Sequence, residues 1–272
     1  MSKVMMRWTM GALFGLWGTQ VAAADFILSA PPRESPAEGQ AIYGPLAEYL
    51  SKITGENIIY QYPSNWGVYQ ARMTTDKYDL VFDGPHFVSW RIQRLKHLPV
   101  AALPGSLRFV VIARQDHDQI RSLENLNGKG VCAHSPPNLA TLTLFEQFTN
   151  PGRQPRVVQM EGFDKAYESL LSSRCVAAVL PMSAYQKLEG QSKRTKVLFE
   201  SKAYANQALT VGIRVPDNVR EKIARALVST ENKQATRAIA ASLGGSEFIA
   251  VTQKDYDGHD GLLKNVWGFE AR

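Results

Sequence analysis

The chain has 272 residues, 44% of them hydrophobic, enough for one large domain or two medium ones with real cores. Its formal charge of +6 becomes +4 once Lys3 and Arg7 of an N-terminal leader are set aside, and the remaining Lys and Arg residues are scattered. No basic run is interleaved with aromatics, which argues against a nucleic-acid partner, and a mean hydropathy of -0.22 fits a soluble globular chain.

The first 24 residues read as a secretory leader. Lys3 and Arg7 precede the apolar stretch Met10 to Trp17, and Val21-Ala22-Ala23-Ala24 is a small-residue cleavage pattern. The apolar run is shorter than the ~20 residues of a spanning helix. No cysteine follows it to carry a lipid, so the expectation is an exported, free protein that begins near Ala24 or Asp25.

From Phe26 onward, short apolar runs alternate with helical patterns, the signature of βα units and mostly parallel sheets. Phe26-Ile27-Leu28 is the first strand, followed by the loop Pro31-Pro32-Arg33-Glu34-Ser35-Pro36. Ile42, Leu46, Tyr49, Leu50 and Ile53 then share a helix face that Gly55 ends. Pro45 inside that pattern implies either a helix start or a kink. Asn57 to Tyr62 is the next strand and Trp66 to Met73 the next helix, whose Trp66 and Tyr69 either wall a binding cleft or pack the helix start. Tyr78 to Phe82 runs into Asp83-Gly84-Pro85-His86, where His86 can donate to an oxyanion and Arg91, further along the helix, can pair with one. The competing readings are a packed histidine and a solvated arginine.

Lys129 to Phe145 compresses a strand (Gly130 to Ala133), the turn Ser135-Pro136-Pro137 and a helix capped by Asn138. The free N–H groups from Asn138 through Ala140 to Thr141, with the side chains of Ser135, Asn138 and Thr141, form a socket for an anion. A strand-to-helix turn with no ligand is the alternative. Further on, Met160-Glu161-Gly162-Phe163-Asp164 opens another helix, with Asp164 as its cap and Glu161 a candidate to face the cleft.

Tyr43-Gly44-Pro45-Leu46-Ala47-Glu48-Tyr49-Leu50, Tyr78 to Pro85, Phe109 to Arg114, Leu126 to Val131 and Ala177 to Pro181 together resemble the phosphate/phosphite/phosphonate-binding proteins of bacterial ABC transporters. The resemblance runs in order through nearly the whole mature chain. It implies the two-lobed α/β fold of type II periplasmic binding proteins, with two mostly parallel sheets joined by two crossing strands. Lobe one would hold residues 25–108 and 209–272, and lobe two residues 109–208. Leu107 to Ala113 and Leu209 to Val215 are extended runs placed to serve as the crossings, and the C-terminal helices Val219 to Val228 and Ala235 to Leu243 would pack on lobe one. The family's pocket, carried over, falls on Tyr43, His86 and the turn from Ser135 to Thr141. Phosphonate binders carry an acid where this chain has Pro181-Met182-Ser183, which argues against an aminophosphonate ligand.

The expected function is therefore capture of a small oxyanion or organophosphorus anion for uptake through a membrane permease, by a monomer without cofactor. A sensory protein presenting its ligand to a membrane histidine kinase is the alternative, and an enzyme on the same scaffold a second. There is no G-x-S-x-G, P-loop, His-Glu-x-x-His or Cys-x-x-Cys, and the five histidines lack metal-ligand spacing, so neither catalytic nor metal-binding residues are assigned. Cys132 and Cys175 are the only cysteines. With the 2-1-3 strand order their strands are neighbours, but aligning the strand ends offsets the thiols by about three residues, roughly 10 Å. Two separate buried thiols are expected, with a disulfide, or a soft metalloid held by one thiol, as alternatives.

Overall fold

A computed structural model describes residues 25–229, 233–243 and 247–269. The leader and its cleavage site lie outside the described residues, among which no helix is long and apolar enough to cross a membrane. In the first half, β1 (Phe26–Ser29), α1 (Pro36–Thr54), β2 (Ile58–Tyr60), α2 (Trp66–Thr74), β3 (Leu80–Asp83), α3 (Pro85–Leu95) and β4 (Leu98–Ala102) alternate. A second series follows: β5 (Ser106–Leu107), β6 (Phe109–Arg114), β7 (Gly130–Ala133), α4 (Leu139–Phe145), β8 (Arg156–Gln159), α5 (Phe163–Leu171), β9 (Ala177–Pro181), α6 (Met182–Glu189) and β10 (Thr195–Glu200). The chain then returns through β11 (Tyr204–Ala205) and β12 (Ala208–Val211) to α7 (Asp217–Leu227) and α8 (Lys233–Leu243).

These strands make two five-stranded sheets, ordered β2-β1-β3-β12-β4 and β10-β6-β9-β7-β8, and one two-stranded ribbon, β11-β5. Each large sheet has a parallel 2-1-3 core, and its fourth strand is antiparallel: β12 beside β3, β6 beside β9. Those two strands are the ones fed by the ribbon, so each lobe's sheet is completed by chain arriving from the crossing. The first crossing is only Ser106–Leu107, at the start of the expected run Leu107 to Ala113; from Phe109 that run lies inside the second sheet. The second is a correction: Ala208–Val211 lies inside the first sheet, and the crossing is the shorter Tyr204–Ala205 just before it.

Helix α1 begins at Pro36, with Ser35 and Glu38 forming a capping box, and Gly55 ends it at φ 82°. Pro45 is internal to it. Its face of Leu46, Ala47 and Leu50 buries against Leu28, Leu80 and Phe82 of the first sheet, and α7 and α8 pack beside it in the same core. The second sheet is covered on both faces, by α4 on one and by α5 and α6 on the other. Leu142 of α4 joins Tyr69, Phe87, Leu263 and Phe269 in one apolar cluster, so the C-terminal segment covers the seam between the lobes.

Cys132 and Cys175 are joined, with Cα atoms 5.8 Å apart, which corrects the expectation of two separate thiols. The strand register was sound: β7 and β9 are parallel neighbours and Cys132 stands opposite Ala178, three residues past Cys175. What fails is the assumption of a straight chain. Strand β9 starts only at Ala177, and Ser173, at φ 64°, turns the chain out of α5. Cys175 thus lies over the sheet face rather than in line with its strand, within the same apolar cluster as Cys132, Met160 and Leu170. With the two cysteines 43 positions apart in sequence, the bridge should stabilise by about 4 kcal/mol in the chain-entropy model. Urea titration with and without reductant should show that loss, and non-reducing peptide mapping should recover a Cys132–Cys175 peptide. A chain equally stable after full reduction would contradict the assignment.

Candidate functional site

Three strand ends converge at the seam between the sheets. The loop after β1 carries Arg33 and Glu34, the turn after β3 carries His86, and the turn after β7 carries His134 and the Ser135–Asn138 segment. All three lie at carboxyl ends of parallel strands, where open α/β sheets bind ligands.

Arg33 is the centre of this arrangement. Its guanidinium donates to Gln207 Oε1, in the second crossing, at 3.1 Å. Its charge is felt by Tyr43, Glu34 and Tyr60 on the same lobe, by His86, and by His134 of the other lobe. Burial disfavours the charged guanidinium, yet Tyr43, Glu34 and Asp83 outweigh it and hold its pKa above the ordinary value. Sequence reasoning missed Arg33, because an arginine beside a glutamate in a proline-rich loop reads as solvated.

Around Arg33 lie buried polar atoms without a partner: Tyr43 Oη, Glu34 Oε2 and His86 Nδ1. Buried polar groups are nearly always hydrogen-bonded, so such a cluster in one place calls for a ligand. Tyr43 packs its ring against Tyr60 and Phe82 and points its hydroxyl at this space; burial raises its pKa, so it stays a neutral donor. Burial pushes His86 down to about 4. Its ring nitrogen Nε2 lies 3.0 Å from the Pro137 carbonyl of the opposite lobe, and the Pro136–Pro137 peptide is cis. A carbonyl only accepts, so Nε2 carries the proton and is spent on Pro137 rather than on an oxyanion. A β-carbon on Gly84 would stand 3.0 to 3.1 Å from the His86 ring, so glycine is what leaves the ring its place.

The helix-start socket is partly occupied by its own chain. Asn138 caps α4 as expected, but its Oδ1 takes the Ala140 N–H at 3.0 Å, and the Thr141 hydroxyl donates to the His134 carbonyl. Ser135 Oγ donates to Gln159 Oε1 at 3.0 Å. The side chains expected to reach an anion are therefore engaged within lobe two.

Trp66 packs edge-on against Tyr69 and lies 6.5 Å from Phe87. Tyr69 is fully buried, stacks on Tyr78 and donates its hydroxyl to Asp83, so it belongs to the aromatic core instead of a cleft wall. Arg91 meets neither expectation: it is neither solvated nor open to a ligand. It is buried and forked onto Asp83 at 2.6 and 2.8 Å, with its Nε on Thr210. Nothing next to Arg91 in the sequence signals that burial, because its partners Asp83 and Thr210 come from other elements.

Residues 28–256 match the family model described as ABC transporter, phosphonate, periplasmic substrate-binding protein. The chain belongs to that family. Family members are transporter substrate-binding proteins rather than enzymes, which implies a membrane permease as partner. The phosphate-import protein PhnD of Mycolicibacterium smegmatis is 31% identical over 117 residues, 40% of this chain and 36% of that protein; this chain thus matches only about a third of that relative's length. Among solved structures, PhnD1 of Prochlorococcus marinus in complex with methylphosphonate superposes with a TM-score of 0.70 at 14% identity, covering 89% of this chain and 98% of that one. A binding-protein component of an ABC phosphonate transporter from Pseudomonas aeruginosa gives a TM-score of 0.64 at 16% identity, over 86% and 84% of the two chains. At those identities the two structures speak for the type II, two-lobed fold. Family membership itself rests on the match across residues 28–256.

Proposed function

We propose that this phosphonate-family protein captures a small tetrahedral oxyanion or alkylphosphonate between its lobes and delivers it to an ABC permease. The observation that carries this reading is Arg33, a cation at the seam ringed by the unpartnered Tyr43 hydroxyl, Glu34 carboxylate oxygen and His86 nitrogen. Arg33 supplies the charge, Tyr43 a neutral donor, and lobe two the backbone N–H groups of Leu139 and Thr141, those of Asn138 and Ala140 being used on Ser135 and Asn138.

The chain works in the periplasm as a monomer after cleavage near Ala24, with lobes of residues 25–108 plus 209–272 and 109–208 cut at the two crossings. It performs no chemistry on its ligand: the carboxylate Asp83 is committed to Arg91 and His86 to Pro137, which supports binding without turnover. Delivery to a sensor kinase would use the same site and differs only in the membrane partner.

Native mass spectrometry should find a retained anion, and a thermal-shift screen of phosphate, phosphite, sulfate and methylphosphonate should identify its class. A specific ligand at a hundred times its dissociation constant stabilises by about 2.7 kcal/mol. If every oxyanion leaves the melting temperature unchanged while a neutral or cationic compound raises it, the proposal is wrong.

A further inference from the structure

We infer that the cleft selects the singly protonated form of its oxyanion, a monoanion whose P–OH donates to an acceptor the chain leaves without a donor. This rests on the oxyanion reading of the cleft and adds the protonation state to it. The argument begins with His86. Because Nε2 faces the Pro137 carbonyl at 3.0 Å, the single proton of the neutral ring sits there. Its Nδ1 is then a lone pair, buried and without a partner. Glu34 Oε2 is a second buried oxygen in the same condition.

Against these two acceptors the site sets Arg33 and the Tyr43 hydroxyl as donors. A fully deprotonated tetrahedral anion offers acceptors alone. It satisfies Arg33 and Tyr43 but meets the Glu34 and His86 lone pairs with oxygens of its own, leaving both unpaired. One P–OH resolves the mismatch by donating to either.

Among the surrounding groups Glu34 can hold that proton itself, because burial raises its carboxyl above the ordinary value. Glu34 is faced by Arg33, by Glu38 and by the hydroxyls of Tyr43, Tyr60 and Tyr62. The Tyr62 hydroxyl is used on the Glu34 carbonyl, and Glu38 is taken up by Ser35. His86 is faced by Asp83, Arg33 and Arg91, of which Asp83 and Arg91 are bonded to each other. Burial raises the tyrosines and pushes His86 down to about 4, so those groups keep one charge state between pH 6 and 9, and it lowers His134 as well. A change in affinity across that window then reports on one proton shared by the ligand and its acceptor, and the ester of the test below places that proton on the ligand.

The test is calorimetric titration of the full mature chain with methylphosphonate, whose second proton leaves in the neutral range, from pH 6 to pH 9. The affinity should fall about tenfold per pH unit once the ligand's own second ionisation is passed. The monomethyl ester of methylphosphonate, equally charged but lacking P–OH, and sulfate should bind at least about tenfold more weakly at pH 6. Glu34→Gln or His86→Gln should flatten the pH profile. The second substitution still supplies an N–H for Pro137 and no acceptor at the Nδ1 position. Whichever variant does so identifies the acceptor. A wild-type affinity that is flat or rises with pH, an ester that binds as well as the acid, or a profile left intact in both variants overturns the inference while leaving the oxyanion site standing. If no oxyanion binds at any pH, the reading of the cleft itself fails and this inference falls with it.

Discussion

Arg33→Ala is expected to weaken methylphosphonate binding about a hundredfold or more, the equivalent of about 2.7 kcal/mol. Truncating one partner of a desolvated charge pair typically costs 2 to 5 kcal/mol, because the remaining charge is left in a site built to neutralise it. Arg33→Lys keeps the charge on a compact ammonium but loses the planar fork, so about a tenfold loss is expected. Stability should change little, since the guanidinium's hydrogen bond is to Gln207 at the partly buried mouth of the crossing. Calorimetry of the three proteins with circular dichroism as the folding control decides it. An alanine variant that binds like the wild type would reduce Arg33 to a hinge contact.

The second large effect is on stability. Asp83→Ala removes the partner of a fully buried arginine, and breaking such a pair from one side costs about 3 to 5 kcal/mol. Arg91 would lose two charge-assisted bonds while keeping only Thr210 and weak contacts to Met73 and Tyr69. Replacing both residues by apolar ones, Asp83→Leu with Arg91→Met, should recover much of that loss, because no unpaired charge remains. Urea midpoints of the single and double variants test this. A single variant within about 1 kcal/mol of wild type would mean that the pair is worth far less than its burial suggests.

What could be read from the sequence was what local chemistry determines. The Gly55 stop and the Asn138 cap follow from residues a few positions apart, and the structure has them. Strand β4 went unread because Leu98-Pro99-Val100-Ala101-Ala102 has no alternation and contains a proline, which suits an edge strand. The second crossing was set a few residues late, since Leu209-Thr210-Val211 is the better strand by composition and the real crossing is only two residues long.

The errors at the site share one cause. Arg33, Arg91 and Cys175 are placed by tertiary packing that no local pattern encodes. Arg91 is sheltered by Asp83 eight positions earlier and Thr210 from the returning chain. Cys175 comes within reach of Cys132 only because the chain bends at Ser173. Tyr43 and His86, by contrast, were singled out because the residues flanking them carry the family pattern.

The ribbon of β5 and β11 has a consequence for how the molecule can move. Two pairs of residues, Tyr204 with Leu107 and Ala205 with Ser106, clamp the crossings side by side. A single tether would let one half swivel freely about its own axis, whereas two strands bonded along their length resist twisting and yield to bending. The halves are thereby restricted to something close to a single angular coordinate, like the covers of a book. Occupancy is then encoded in one number, the spread between the two outer rims, and a membrane partner touching both rims can read whether the protein is loaded without contacting the cargo.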